Sequence, residues 1–409
     1  MKTLLLSVLG MLVLVSARAE EAKDFYLREG DRVVFYGDSI TEQRLYTTYV
    51  ETFVLTRYPE LKVQFFPRGV GGDTAWGGWM GMIEERLSRD VKPCAPTVIT
   101  SMLGMNDGGY TGFDDKVLAV HEEWYRKLIA LMQETAPECR ITLLGSSPYD
   151  DWAHPDTEFK GYNAAVARIA ERSGVLAKEL GFDYADFNAP VRALVETVIQ
   201  ADPPNAVKIL PDAIHPGPSG HLVMAAALLK AWGATGVVSD VEIDAASGKV
   251  VTARHARVEG LSGLTWRQSD DALPFPMNKD YALAMKHTAF LEELNRQRLS
   301  VTGLEPGVYR LSIDGVDVTD ATAEVLAQGI NLAAFETPMG EQAARVLELT
   351  RHRVDLDFAA WREVRFNHGE YGKAPEALAA LAALNEEAVA RQREAARPVE
   401  RVYALTLVP

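Results

Sequence analysis

Cysteine is nearly missing from this chain, with two residues in 409, Cys94 and Cys139. So few exclude a disulfide scaffold and a Cys-ligated zinc protein. Basic residues are also short, 42 Lys and Arg against 57 Asp and Glu, for a net charge of −15. A surface for nucleic acid or anionic lipid needs a basic face to neutralise phosphate, so neither partner is expected. After the first twenty residues no apolar run approaches membrane-spanning length. The eight His include no H-E-x-x-H; His121-Glu122 has Tyr125 where the second His would stand, so no metal is expected. A G-x-S-x-G nucleophile elbow is absent too, which disfavours an ordinary α/β-hydrolase.

What is present describes a globular protein, 47% hydrophobic and 24% charged, long enough for two or three domains. Residues 1–19 read as a signal peptide: Lys2 gives a positive start, Leu4–Val15 is apolar, and Ala17-Arg18-Ala19 fits a small-x-small cleavage site. An uncleaved N-terminal anchor is the alternative, against which the run is short. Cleavage predicts an exported protein, periplasmic or extracellular, without membrane contact thereafter. Cys94 precedes the run Thr97–Leu103 and Cys139 precedes Ile141–Leu144. On neighbouring parallel strands the two thiols would share a sheet edge, leaving open both a bridge and two unpaired hydrophobes.

From Asp31 strand and helix patterns alternate. Arg32–Tyr36, Lys62–Phe66, Thr97–Leu103, Ile141–Leu144 and Phe182–Phe187 read as strands. Between them Gln43–Tyr58, Asp115–Glu134, Phe159–Leu180 and Ser219–Trp232 read as helices, the second with Val117, Val120, Trp124, Leu128 and Leu131 on one face. Five strands joined by helices predict a parallel sheet covered on both faces, with the site at the carboxyl ends of the strands. The predicted organisation is an α/β domain over 24–236, a small antiparallel β-rich region over 237–330, and a helical tail with a final strand over 331–409.

Four segments at strand ends carry chemistry. Gly37-Asp38-Ser39 ends the first strand and opens a helix. Such a Ser places its hydroxyl at the sheet edge and its N–H at a helix start, which suits a nucleophile and an oxyanion donor; an ordinary N-cap is the competing explanation. Asp212-Ala213-Ile214-His215 precedes the last helix of the domain, with a base and a carboxylate able to orient it, or else a structural His in a capped loop. Gly69-Val70-Gly71-Gly72 follows the second strand, where glycine lets an N–H approach a ligand. Thr74 stands where a dinucleotide fingerprint needs glycine, so no such cofactor is expected. Asn106, in Gly104-Met105-Asn106-Asp107-Gly108, offers side-chain donors at the end of the third strand, in a loop whose composition also suits a plain turn.

Ser39, Gly72, Asn106 and His215, each after the expected strand, resemble the SGNH/GDSL hydrolase superfamily over about residues 31–233. The stretch GDSITEQRLYTTYVETFVLTRYPEL is similar to a group of exported bacterial SGNH proteins. The resemblance implies a flavodoxin-like three-layer α/β/α domain of strand order 2-1-3-4-5. It also implies Ser39 as nucleophile, His215 as base and Asp212 as its partner, with an oxyanion hole from Ser39 N–H, Gly72 N–H and Asn106, and no cofactor or metal. One departure is Pro67, where the family often carries an Asn that braces the Gly turn, so bracing must come from elsewhere.

Arg44, Tyr46, Trp76, Trp79, Tyr149 and Trp152 follow these segments and are expected to line the substrate, although aromatics also fill cores. Aromatic lining suits sugar rings, and the resemblance, to a superfamily many of whose members remove O-acetyl groups from glycans, implies that activity on carbohydrate as the leading expectation, with an acylated small molecule or polysaccharide as partner. A lysophospholipase or general short-chain esterase is the alternative enzyme. A catalytically inactive carbohydrate-binding surface protein is the alternative of another class.

Overall fold

The computed structural model describes residues 24–112 and 114–409. The signal-peptide reading of residues 1–19 lies outside them. The first sheet holds β1 (Arg32–Gly37), β2 (Gln64–Gly69), β3 (Val98–Met102), β4 (Arg140–Gly145) and β5 (Asp183–Asp186), all parallel, in the order β2-β1-β3-β4-β5. This is the order that the resemblance implied. Register brings Gly37 beside both Gly69 and Met102, so three strands finish together at the carboxyl edge.

Helices cover both faces of this sheet. On one lie α2 (Leu45–Arg57), α5 (Asn188–Ala201) and α6 (Pro218–Ala231); on the other α3 (Asp115–Thr135), with α4 (Asn163–Leu180) reaching both cores. The short α1 (Ser39–Glu42) follows β1 directly. On α3 the buried face is His121, Tyr125, Leu128, Ile129 and Met132, while Val120 is exposed. That stripe is turned from the one apolar spacing predicts. Two polar anchors account for it: His121 Nδ1 lies 2.6 Å from the Asp107 carboxylate, and Tyr125 donates its hydroxyl to Ser101 C=O at 2.9 Å. Cys94 and Cys139 are both free thiols.

Beyond residue 236 the chain builds two more sheets. One, in the order β13-β10-β6-β7, contains β6 (Val237–Asp244), β7 (Lys249–Arg254), β10 (Arg296–Thr302) and β13 (Ile330–Asn331). Its central pair, β6 and β10, is parallel, which the antiparallel expectation missed because the connection between them carries its own strands and short helices. The other sheet is antiparallel, β8-β9-β14-β11-β12, built from β8 (Ala256–Ser262), β9 (Thr265–Asp270), β11 (Val308–Ile313), β12 (Val316–Thr322) and β14 (Arg401–Leu407). The last strand of the chain is thus the middle strand of that sheet, joining the helical tail to the β region through one core around Trp266, Leu311, Tyr403 and Leu405.

The helices α7 (Pro338–Phe358), continued by a wider π-helical stretch over Ala359–Asn367, and α8 (Ala374–Ala396) return to the first domain. Arg353 of α7 pairs with Glu51 of α2 at 2.7 Å, both buried, and Gln392 of α8 donates to the same carboxylate at 3.0 Å. This explains why α2 has no clear apolar stripe. Every residue from Tyr46 to Arg57 is buried, the sheet on one side and the C-terminal helices on the other.

Candidate active site

Close packing of strand ends builds the site. A Cβ at Gly37 would stand 2.3 Å from Thr41 Oγ1 and 2.8 Å from Met102 C=O, and one at Gly69 would stand 2.3 Å from the Glu42 nitrogen. Only glycine lets β1, β2 and β3 converge under α1. Asp38 caps α1 by accepting the Ile40 N–H at 3.0 Å, which makes Ser39 the first helical residue. Burial pushes the Asp38 carboxyl up to about 8; the Ile40 N–H pulls against this, while the nearby Asp107 and Asp73 carboxylates add to it.

Ser39 Oγ lies 2.8 Å from His215 Nε2, and His215 Nδ1 lies 2.7 Å from Asp212 Oδ2. The other Asp212 oxygen accepts the N–H groups of Ile214 at 3.0 Å and His215 at 2.7 Å. Partial burial raises the Asp212 carboxyl, but these bonds from His215 and Ile214 outweigh it and hold the group below its ordinary value. An ionised Asp212 only accepts, so Nδ1 carries the imidazole proton and Nε2 is left to accept from the serine hydroxyl. Between them Ala213 is folded at φ +67°, a costly conformation for a residue with a Cβ, which turns the loop back on itself.

The opposite side of Ser39 presents donors. Gly72 sits at φ +78° as the third residue of a turn closed by Asp73 N–H to Val70 C=O at 3.1 Å, where a left-handed residue is required. Among the described residues neither the Ser39 nor the Gly72 N–H has a protein acceptor. Asn106 donates one amide N–H to Asp73 C=O at 2.9 Å and accepts the Tyr110 hydroxyl at 3.0 Å, which fixes its orientation and leaves its second N–H available.

The expected lining residues divide. Trp79 is 64% exposed and donates its indole N–H to Gly71 C=O at 2.9 Å, which puts its ring beside the Gly turn. Arg44 is drawn toward the C-terminal helix, its guanidinium 4.0 Å from the Phe358 ring and 3.4 Å from Asp355. Tyr46 and Tyr149 do not line the substrate. Tyr46 is buried edge-on to Phe35 and Phe187 with its hydroxyl 3.0 Å from Thr41; buried Tyr149 bonds Thr157. Trp76 and Trp152 are half-buried against the cores on either face of the sheet. Composition could not separate these cases, because which way an aromatic points depends on what packs around its segment in the folded chain.

Two further groups near Ser39 were not expected. His221 is buried and pushed down to about 3 by burial, with some repulsion from His215; its Nδ1 accepts the Tyr46 N–H and its Nε2 therefore donates to Gln43. It is a neutral structural histidine. Glu42 accepts the Gly71 N–H at 2.7 Å and Arg362 Nη2 at 2.6 Å. Its place three residues after Ser39, on the same side of α1, is the only hint the local sequence offers. Among the described residues no group of three His, Cys, Asp or Glu could hold a metal ion.

A serine bonded through histidine to aspartate, at the carboxyl edge of a 2-1-3-4-5 parallel sheet, defines the SGNH class of acyl hydrolases. Residues 35–223 match the GDSL-like Lipase/Acylhydrolase family, and the chain carries a domain of that family. It is a carboxylic ester hydrolase. An acetylxylan esterase of Geobacillus stearothermophilus is 24% identical over 226 residues, covering 50% of this chain and 94% of that one. A solved structure of an acetylxylan esterase from that organism matches 51% of this chain and 96% of its own, at 21% identity and TM-score 0.42. The structure of a gut microbial diltiazem-metabolizing enzyme matches 93% of this chain and 98% of its own, at 29% identity and TM-score 0.83. The two-part architecture therefore recurs in a solved protein.

Proposed function

We propose that this protein is a serine esterase that removes O-acetyl groups from carbohydrate, acting outside the cytoplasm. The observation that carries the reaction is the 2.8 Å contact between Ser39 Oγ and His215 Nε2, backed by Asp212. His215 takes the hydroxyl proton as Oγ forms a bond to the ester carbonyl carbon. The carbonyl oxygen gains the negative charge and is met by the N–H groups of Ser39 and Gly72 and by Asn106. Each such donor is typically worth about 3–4 kcal/mol in the transition state. The tetrahedral species collapses, the proton on Nε2 passes to the leaving alkoxide, and acetyl-Ser39 remains. Water, deprotonated by His215, then releases acetate and restores the hydroxyl.

Support for the carbohydrate comes from the acetylxylan esterase relative and from Trp79, an exposed ring beside the Gly turn that offers a stacking face to a sugar. The N-terminal pattern of residues 1–19 supports export. A second reading, small acylated molecules in general, is favoured by the likeness to the diltiazem-metabolizing enzyme across 93% of the chain. Release of acetate from acetylated xylan, an aryl acetate and diltiazem, and of fatty acid from a lysophospholipid, measured for wild type and Ser39→Ala, tests both. Release from xylan that disappears in Ser39→Ala is the expected result. Activity restricted to the small esters selects the second reading. Binding of xylan with no hydrolysis of any ester would make the protein a binding module.

A further inference from the structure

The turn that presents Gly72 is pinned on both sides of Gly71, and both pins lead to the C-terminal segment. Gly71 N–H goes to Glu42 at 2.7 Å, whose other carboxylate oxygen takes Arg362 at 2.6 Å; Gly71 C=O goes to the Trp79 indole at 2.9 Å. Arg362 is nearly buried among rings, its guanidinium 4.9 Å from Trp79, 5.6 Å from Trp361, 5.9 Å from Phe366 and 6.0 Å from Phe358. Pro67, earlier on the same strand, has no side-chain group that could hold the turn. The other arm of the oxyanion side has the same origin. Trp361 donates to Asp90 at 2.8 Å, Asp90 pairs with Arg86, Arg86 pairs with Asp73 at 2.8 Å, and Asp73 C=O holds Asn106. Adjacent residues of the C-terminal segment thus terminate both chains of contact.

We propose that the segment Phe358–Phe366 braces the oxyanion side of the hydrolase domain, with Arg362 and Glu42 as positioning residues for the reaction at Ser39. The proposal rests on the roles given above to Ser39, Gly72 and Asn106. A glycine at φ +78° with open space around its Cβ position has no packing of its own to fix it, so its N–H is aimed by what holds its neighbours. A displacement near 1 Å is enough to cost on the order of 100-fold in rate. Physically, then, a part of the chain outside the family domain sets the catalytic geometry within it.

The test uses the full chain with Arg362→Ala, Glu42→Gln, Ser39→Ala and, as a surface control, Arg345→Ala, whose partner is the exposed Glu348. For each, kcat and KM are measured on an aryl acetate, with Tm and the affinity for an arylboronic acid, which takes Oγ into a tetrahedral adduct. Arg362→Ala is expected to lose roughly 10- to 100-fold in kcat. KM should move less than about threefold and boronate affinity should fall with kcat, because the brace acts on the transition state and not on ground-state binding. Glu42→Gln keeps an acceptor for Gly71 and loses the ion pair, so a smaller loss of the same kind is expected, and it serves if Arg362→Ala does not fold. Folded Arg362→Ala and Glu42→Gln proteins with wild-type kcat, or a change in KM alone, overturn the brace. An active Ser39→Ala overturns the underlying site assignment instead.

Discussion

Asp38 is a residue whose burial has a consequence for pH. Its carboxyl is enclosed under α1, and burial lifts it from an ordinary 3.8 to about 8. Between those values the folded chain holds a proton that the unfolded chain releases, so this group's contribution to stability declines as pH rises from about 4 to about 8 and is level above. Asparagine in its place still accepts the Ile40 N–H and does not ionise. The stability of Asp38→Asn relative to wild type should therefore climb across that window, by a few kcal/mol at most. Denaturant midpoints at pH 5, 7 and 9 measure it, and a pH-independent difference would refute the assignment. At this scale much of the site was legible. Ser39, Asp212 and His215 announce themselves because each sits in a short motif at a strand end, where local spacing determines geometry. Tyr46 and Tyr149 misled because exposure is a tertiary property. Glu42 with Arg362 stayed hidden because 320 residues separate the partners.

Among the elements, the junction of β2 with α1 bears most directly on the site. A Cβ on Gly69 would meet three backbone atoms of residues 38–42 at 2.3 to 2.7 Å, and backbone cannot swing aside as a side chain can. Gly69→Ala is expected to cost about 1–3 kcal/mol of stability and to lower kcat by moving α1, and Ser39 with it, relative to the Gly turn. Paired thermal melts and steady-state kinetics check this; a stable, fully active variant would show that the strands can spread. The parallel sheet was readable from its alternating elements, since β-branched runs separated by helical stretches leave few topologies. The C-terminal pairings were less so: β6 and β10 are parallel across a long connection that itself carries strands, and nothing in their residues specifies direction. The turned face of α3 has a similar cause, because His121 counts as polar in a periodicity and is buried in fact.

For the whole molecule, α2 is the shared element. It belongs to the family domain, yet α7 and α8 complete its enclosure, with the Glu51–Arg353 pair buried between them. Truncation after residue 236 would open that face and expose to water the side of α2 that α7 and α8 now bury. The truncated protein is therefore expected to be insoluble or molten, and the full chain to melt in one calorimetric transition. Two resolved transitions, or a truncation with native near-UV dichroism, would mean that the two parts are independent.

The placement of β14 also sets the order of assembly during synthesis. Residues 401–407 fill the gap between β9 and β11, so both of those strands wait with unpaired edges until that segment has been made. Exposed strand edges invite pairing with other chains, and pairing across so long a sequence separation is slow. A chain cut before residue 401 would have a split sheet beneath the helices that lead to the active site, so β14 becomes a condition for activity.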